Sequence, residues 1–198
     1  MVFIALILAA AGMICWVVVS RGVAALLFTA AVGLWLFSGP GIEFDSGVPR
    51  GFVALSQPKA APIAGFKGAN GARLSLEDFR GQVVLVNIWA TWCGPCRAEM
   101  PSLDRLQAMH RSDGLQVLAI SVDRDGFKQV RPFYQKRGIR NLKLYIDSDG
   151  ATQSAFRSSA IPMTVLIDRE GNVVGSMVGA AEWDSAEAQD LVRRYLGN

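Results

Sequence analysis

The stretch that most restricts the fold is Gln82 to Pro101, QVVLVNIWATWCGPCRAEMP. Its first eight residues are β-branched and almost wholly apolar, without the polar alternation of a half-exposed strand. Such a strand is buried on both faces, so its sheet must be covered on each side. Cys93 and Cys96 follow at once, and from Cys96 to His110 the spacing turns helical. Met100, Leu103, Leu106 and Met109 recur every three residues as the predicted buried side of that helix. Pro101 falls inside the pattern and is predicted to kink it.

The rest of the chain from Pro62 repeats this alternation. PIAGFKGANGARLSL reads as a small hairpin turning at Asn70-Gly71, and LEDFRG as a short helical turn. LQVLAISV is a second buried strand, and FKQVRPFYQKRG an amphipathic helix ending near Gly138. LKLYID is a strand and ATQSAFRSS a short helix. MTVLID, a turn at REGN and VVGSMVG make a terminal hairpin. SAEAQDLVRRYL closes the chain as a helix capped by Asp184 or Ser185. Trp183, beside that cap, suits either packing on the sheet or facing a partner. The fold class is α/β, a sandwich with a central mixed sheet.

Charge is spread unevenly. Residues 1 to 42 of the 198 hold one cation, Arg21, and no acid, while the remainder carries a formal +2. That balance, without a basic stripe and interleaved aromatics, gives no sign of a nucleic-acid partner. Residues 2–19 and 23–37 are apolar runs separated by Ser20-Arg21-Gly22, and Ser38-Gly39-Pro40-Gly41 ends the second. They read as two transmembrane helices joined by a tight turn, a membrane anchor over residues 1–37. A cleaved signal peptide would want a positive n-region, and MVF has none. A single long helix would leave Arg21 at membrane depth, at a cost of about 2.5 kcal/mol or more. Arg21 as a cytoplasmic turn puts the following domain outside the cytoplasm. Cys15, in the first run, reads as a small apolar residue. Residues 38–61 read as a linker, and 62–198 as the folded domain.

The cysteine pair has three readings: a structural disulfide, half of a metal site, or a redox couple. Zinc wants four ligands, and this pair supplies two. The remaining cysteine is Cys15 and the only histidine is His110, so no metal is expected. A copper chaperone would draw on Met100 and Met163, which more often serve as core. The redox reading fits the position between a buried strand and a helix. Cys93 then stands at the helix N-terminus, where unpaired N–H groups and the dipole favour a thiolate and bring its pKa down from about 8.5. Cys96, on the same face, can reach it. Cys93 is expected to be exposed and to attack, and Cys96 to be more buried and to resolve the mixed disulfide. Trp92 is placed to shield the pair from water. Pro162, ahead of an apolar strand, would bring its neighbour's backbone beside the disulfide if its peptide bond were cis, which sequence by itself does not establish.

NIWATWCGPC, Pro101 eight residues after Cys93, and AIPMTVLID together resemble the thioredoxin superfamily. FRGQVVLVNIWATWCGPCRAEMPSL is more closely similar to its membrane-anchored TlpA/ResA-like branch of thiol:disulfide oxidoreductases. The similarity covers roughly Pro62 to Leu196 and leaves the membrane end out. It implies a thioredoxin fold with an N-terminal β-hairpin, a βα insertion before Pro162, and a cis bond at Pro162. It further implies a domain facing the periplasm or cell exterior of a bacterial inner membrane. There it would reduce disulfides of client proteins such as apocytochrome c or cytochrome oxidase assembly factors. Electrons would come from a transmembrane thiol donor of the CcdA or DsbD type, and no cofactor is implied. Thioredoxins generally place a buried aspartate six residues before the first cysteine, where this chain has Asn87. The branch has a glutamate three residues after the second cysteine, and Glu99 matches it. Glu99 is either a solvated residue of the first helical turn or the group that deprotonates Cys96. Gly94-Pro95 matches reducing thioredoxins, leaning towards a potential near thioredoxin's about −270 mV rather than DsbA's about −120 mV.

Two other features read as structural. His110 is expected at the surface of a helix end, and DRDG, Asp123 to Gly126, as a turn and helix cap. A copper metallochaperone or client-binding module remains the alternative function. A peroxidase does not fit, because Val86 stands where its cysteine pattern wants proline.

Overall fold

The computed structural model describes residues 48–197. In chain order the strands are β1 (Val53–Ala60), β2 (Gly65–Gly68), β3 (Arg73–Ser75), β4 (Val83–Trp89), β5 (Leu115–Ser121), β6 (Tyr145–Ile146), β7 (Met163–Ile167) and β8 (Asn172–Val178). The helices are α1 (Gly94–His110), α2 (Phe127–Arg137), α3 (Ala151–Ala155) and α4 (Ala186–Leu196), with a 3-10 turn at Leu76–Phe79. They build an eight-stranded sheet in the order β1-β8-β7-β4-β5-β6-β2-β3. Strand β4 runs parallel to β5 and antiparallel to β7, so the sheet is mixed.

The apolar run of the sequence is this central strand, buried at all seven positions. Its period of two divides the core. Val83, Leu85 and Trp89 face one cluster together with Leu103 and Leu106 of α1 and Leu191 and Val192 of α4. Val84, Val86 and Ile88 face the other, with Phe66, Leu76, Tyr145 and Met163. Asn87 keeps step with Leu85 and Trp89 and therefore points under α1. The hairpin β2–β3 turns where expected, with Gly71 at φ 80° in the left-handed region and its N–H donating to Gly68 O. Strand β5, helix α2, strand β6 and helix α3 all precede Pro162.

Several expectations need correction. The stretch 38–61 is not wholly linker, since Val53–Ala60 is a strand that pairs antiparallel with β8. Seven of its eight side chains are exposed, so an edge strand that buries little carries no hydrophobic period to read. Pro58 is tolerated there because the register is irregular between Ala54 and Lys59. The strand predicted at LKLYID is only Tyr145–Ile146. Asp104 of α1 captures the preceding backbone, accepting from Arg140 N, Asn141 N and Leu142 N. On α1 a strict spacing of three drifts off a helix of 3.6 residues per turn, so Met109 is 43% exposed while Gln107 and His110 turn inward. His110 is thus buried, with Nδ1 at 3.0 Å from Asp113 Oδ2. Helix α1 continues through Pro101. The expected anchor runs at 2–19 and 23–37 lie outside the described residues. Among the described residues no helix is long and apolar enough to cross a membrane.

Candidate active site

Cys93 is the N-cap of α1, with extended backbone at φ −81° and ψ 112°, and its Sγ accepts the N–H of Cys96 at 3.2 Å. Strand β4 delivers it, the turn Ala90–Trp92 reverses the chain, and Pro95 sits in the first helical turn, where a missing N–H costs nothing. That turn contains no acid, so nothing in it opposes negative charge on the capping sulfur. Cys93 and Cys96 form a disulfide, with S–S 2.08 Å and Cα atoms 5.3 Å apart. Cys96 is fully buried, and Cys93, expected to be exposed, is 7% exposed in this oxidised state.

Glu99 lies one turn beyond Cys96 and is wholly buried, not solvated. Its Oε1 accepts from Asn87 Nδ2 at 2.9 Å, and its Oε2 from Trp183 Nε1 at 2.9 Å and Ala181 N at 3.1 Å. Burial pushes the carboxyl above its ordinary value, and the charge of Glu182 adds to this. The three donors, Trp183 foremost, work in the opposite direction by favouring the ionised form. Asn87 also donates to Thr164 Oγ1 at 2.9 Å, while its own Oδ1 is buried with no partner. Ser102 braces the same corner, donating to Glu99 O and accepting from Trp183 N.

The Ile161–Pro162 bond is cis, and Cys93 Sγ lies 3.8 Å from Ile161 O. Ile161 packs against the core cluster that contains both cysteines. Pro162 O in turn accepts from Gly179 N at 2.8 Å, which ties the end of β8 to this loop. Trp92, expected to shield the pair, is 67% exposed and offers its ring to solvent or to a docking chain. Cys93, Cys96, Glu99 and Pro162 are therefore brought together, with Trp92 at the rim. Sequence reading missed Trp183 and Thr164 as members of the Glu99 environment. A buried indole needs an acceptor for its N–H, and that requirement was the available signal for Trp183. The stretch DRDG is the turn and helix cap expected of it, with Gly126 N donating to Asp123 O at 3.0 Å and Gly126 holding the N-cap of α2. What the sequence did not show is the Asp123 side chain, whose buried carboxylate accepts from Thr91 N, Thr91 Oγ1 and Ser121 Oγ and fastens the turn that precedes Cys93. Among the described residues no three His, Cys, Asp or Glu side chains converge to hold a metal ion.

Residues 57–192 match the Redoxin family. The chain belongs to that family. Within it the similarity runs to thiol-disulfide oxidoreductase ResA of Bacillus subtilis, 30% identical over 154 residues, or 78% of this chain and 85% of ResA. The thioredoxin-like protein YneN of the same organism is 33% identical over 129 residues, 64% of this chain and 74% of YneN. Among solved structures, a thiol:disulfide interchange protein of the thioredoxin family from Chlorobium tepidum superposes with a TM-score of 0.59 at 28% identity, covering 73% of this chain and all of that one. The chain is a TlpA/ResA-like thiol:disulfide oxidoreductase with a thioredoxin-like α/β fold. A redox couple accounts for this oxidoreductase's cysteines, and disulfides of client proteins are its substrates.

Proposed function

We propose that this oxidoreductase works as a membrane-tethered reductant of particular client disulfides outside the cytoplasm, of the cytochrome c maturation or cytochrome oxidase assembly type. Residues 1–37 are the tether, and the catalytic domain faces the periplasm or cell exterior. The reduced Cys93 thiolate attacks one sulfur of the client disulfide, and the other client sulfur leaves as a thiolate and takes a proton from water. Cys96 passes its proton to Glu99 and attacks Cys93 Sγ. The Cys93–Cys96 disulfide forms, the second client sulfur leaves as a thiolate, and two electrons have passed to the client. Pro162 and Trp92 border the groove in which the client lies. A transmembrane thiol donor of the CcdA or DsbD type returns two electrons to the pair, Cys96 recovers the proton held by Glu99 and Cys93 is left as the thiolate, in a compartment that would otherwise hold the pair as a disulfide.

The observation that carries this reading is the pairing of a fully buried Cys96 with a buried carboxylate one turn further on the same helix. Burial in apolar surroundings makes a thiol hard to ionise, so a resolving cysteine placed there needs a base at hand. Cys96→Ser should hold its client as a mixed disulfide on Cys93, to be identified by mass spectrometry after thiol trapping. The wild-type protein should reduce insulin. Tight Cu(I) binding by the reduced protein without insulin reduction would overturn the proposal in favour of a metallochaperone. A reporter active only outside the cytoplasm, fused after Gly41, should give signal, and silence there would remove the topology.

A further inference from the structure

Glu99 is held by the last part of the chain as much as by its own helix. Both bonds to its Oε2 come from the three residues Ala181 to Trp183, the side-chain one from the Trp183 indole at 2.9 Å. Trp183 has no exposed surface, and its backbone N–H donates to Ser102 Oγ at 3.1 Å, so the ring cannot follow a carboxylate that moves away. An indole N–H donates only, and so favours the carboxylate over the carboxylic acid. We propose that Trp183 is the positioning residue of Glu99: its indole N–H favours the ionised carboxylate and fixes it in place, one helical turn from Cys96, to take that thiol's proton. This deepens the function proposed above and rests on it.

The groups that face Glu99 are few. On α1, Cys96 stands one turn back along the helix. From β4 comes Asn87, backed by Thr164 of β7, and from the segment after β8 come Ala181 N–H, Trp183 and the opposing charge of Glu182. Proton uptake by Glu99 has a receiver as well. The buried Asn87 Oδ1 is without a donor, and a half-turn of the amide would present it to a protonated Oε1. Neither the Trp183 indole nor the Ala181 N–H offers such an adjustment, so their bonds to Oε2 are the ones that weaken when the carboxylate is neutralised.

The test is the pH profile of insulin reduction by the full-length protein. The activity limb that follows Glu99 ionisation should move up by about one pH unit in Trp183→Phe, which keeps the ring and deletes the donor. In Glu99→Gln the limb should vanish, and adding Trp183→Phe should then change nothing further in its shape. If Glu99→Gln leaves the profile intact, the role of Glu99 itself fails. If Glu99→Gln abolishes the limb but Trp183→Phe leaves its midpoint in place, only the role of Trp183 fails. A second readout does not depend on the variant folding. In 15N-labelled wild-type protein the Trp183 Nε1–H resonance should titrate, shifting upfield as the carboxylate is protonated, and a resonance flat across the range overturns the proposal.

Discussion

Asp123→Ala tests whether the turn carrying Cys93 is held from β5. The Asp123 carboxylate is fully buried and accepts from Thr91 N at 2.9 Å, Thr91 Oγ1 at 2.7 Å and Ser121 Oγ at 2.7 Å. Thr91 stands two residues before Cys93, whose own N–H donates to Ala90 O at 3.2 Å. Removing the carboxylate strands one backbone N–H and two hydroxyls. The hydroxyls can turn, and Ser121 Oγ keeps the bond it accepts from the residue 123 N–H at 3.0 Å. The Thr91 N–H cannot turn. A stranded donor costs about 1–3 kcal/mol, and a bond to a charged acceptor is worth about 1.5–3 kcal/mol. Relief of a buried charge offsets part of the sum, so the expected loss is about 3 kcal/mol. For a domain of this size that lowers Tm by roughly 6–12 °C. Asp123→Asn keeps one acceptor and the shape and should lose about 1 kcal/mol. At a temperature where all variants are folded, insulin reduction by Asp123→Ala should fall about tenfold, since the attacking sulfur loses its fixed position. A stability loss below 1 kcal/mol would refute the hydrogen-bond argument. A full loss with an unchanged rate would refute the link to Cys93.

Asp104→Ala should be as costly, about 3 kcal/mol by urea unfolding, because one carboxylate oxygen satisfies the three successive N–H groups of Arg140, Asn141 and Leu142 and the other accepts from Asn141 Nδ2. Gly175→Ala should cost about 1–3 kcal/mol, since an added Cβ would meet the Phe52 ring at 2.5 Å and Val53 O at 2.9 Å, and the backbone of a strand paired with β8 cannot step aside. The Glu99 carboxyl, raised by burial above its ordinary value of 4.5, makes the folded protein bind the proton more tightly than the unfolded chain. Its contribution is therefore whole below pH 4.5 and is lost as pH rises through the folded value, so wild type should lose ground to Glu99→Gln in urea midpoints taken from pH 4.5 upward. A wild-type-minus-variant difference that stays flat with pH would contradict the raised value.

Sequence pattern revealed the parts of the fold that bury a regular face. Val83–Trp89 is apolar because both of its sides are covered, and the helix after Cys93 shows its face through Met100, Leu103 and Leu106. Strand β1 left no trace, because backbone pairing with β8 holds it while its side chains face solvent. The inward turn of His110 and Gln107 was hidden for another reason. These are polar residues that bury by pairing, His110 with Asp113 and Gln107 with the backbone of Leu115 and Val117, and pairing has no period. The cysteine pair was legible because local spacing at the start of one helix sets its relation, whereas Glu99 was singled out by the family resemblance and its burial was not readable from the sequence. Trp183 was not legible, since it lies 84 residues from Glu99 and only the tertiary fold brings them together.

Having the acid on the helix instead of the strand changes what can hold it. A carboxyl at position 87 would belong to β4, whose backbone is fixed on both sides by β5 and β7. Glu99 reaches outward from α1 instead, far enough to touch Asn87 on the sheet and Ala181 and Trp183 beyond it. The segment it touches is short and tied at its other end to the cis-proline loop. Gly179 N donates to Pro162 O at 2.8 Å, and Ala181 N donates to Glu99 at 3.1 Å two residues later. A carboxylate that gives up its charge therefore weakens a bond on a segment whose far end borders the cis proline. In the proposed cycle, proton uptake from Cys96 and release of the client would meet in Gly179 to Ala181. A side chain at position 87, facing only its own sheet and helix, would have no such reach.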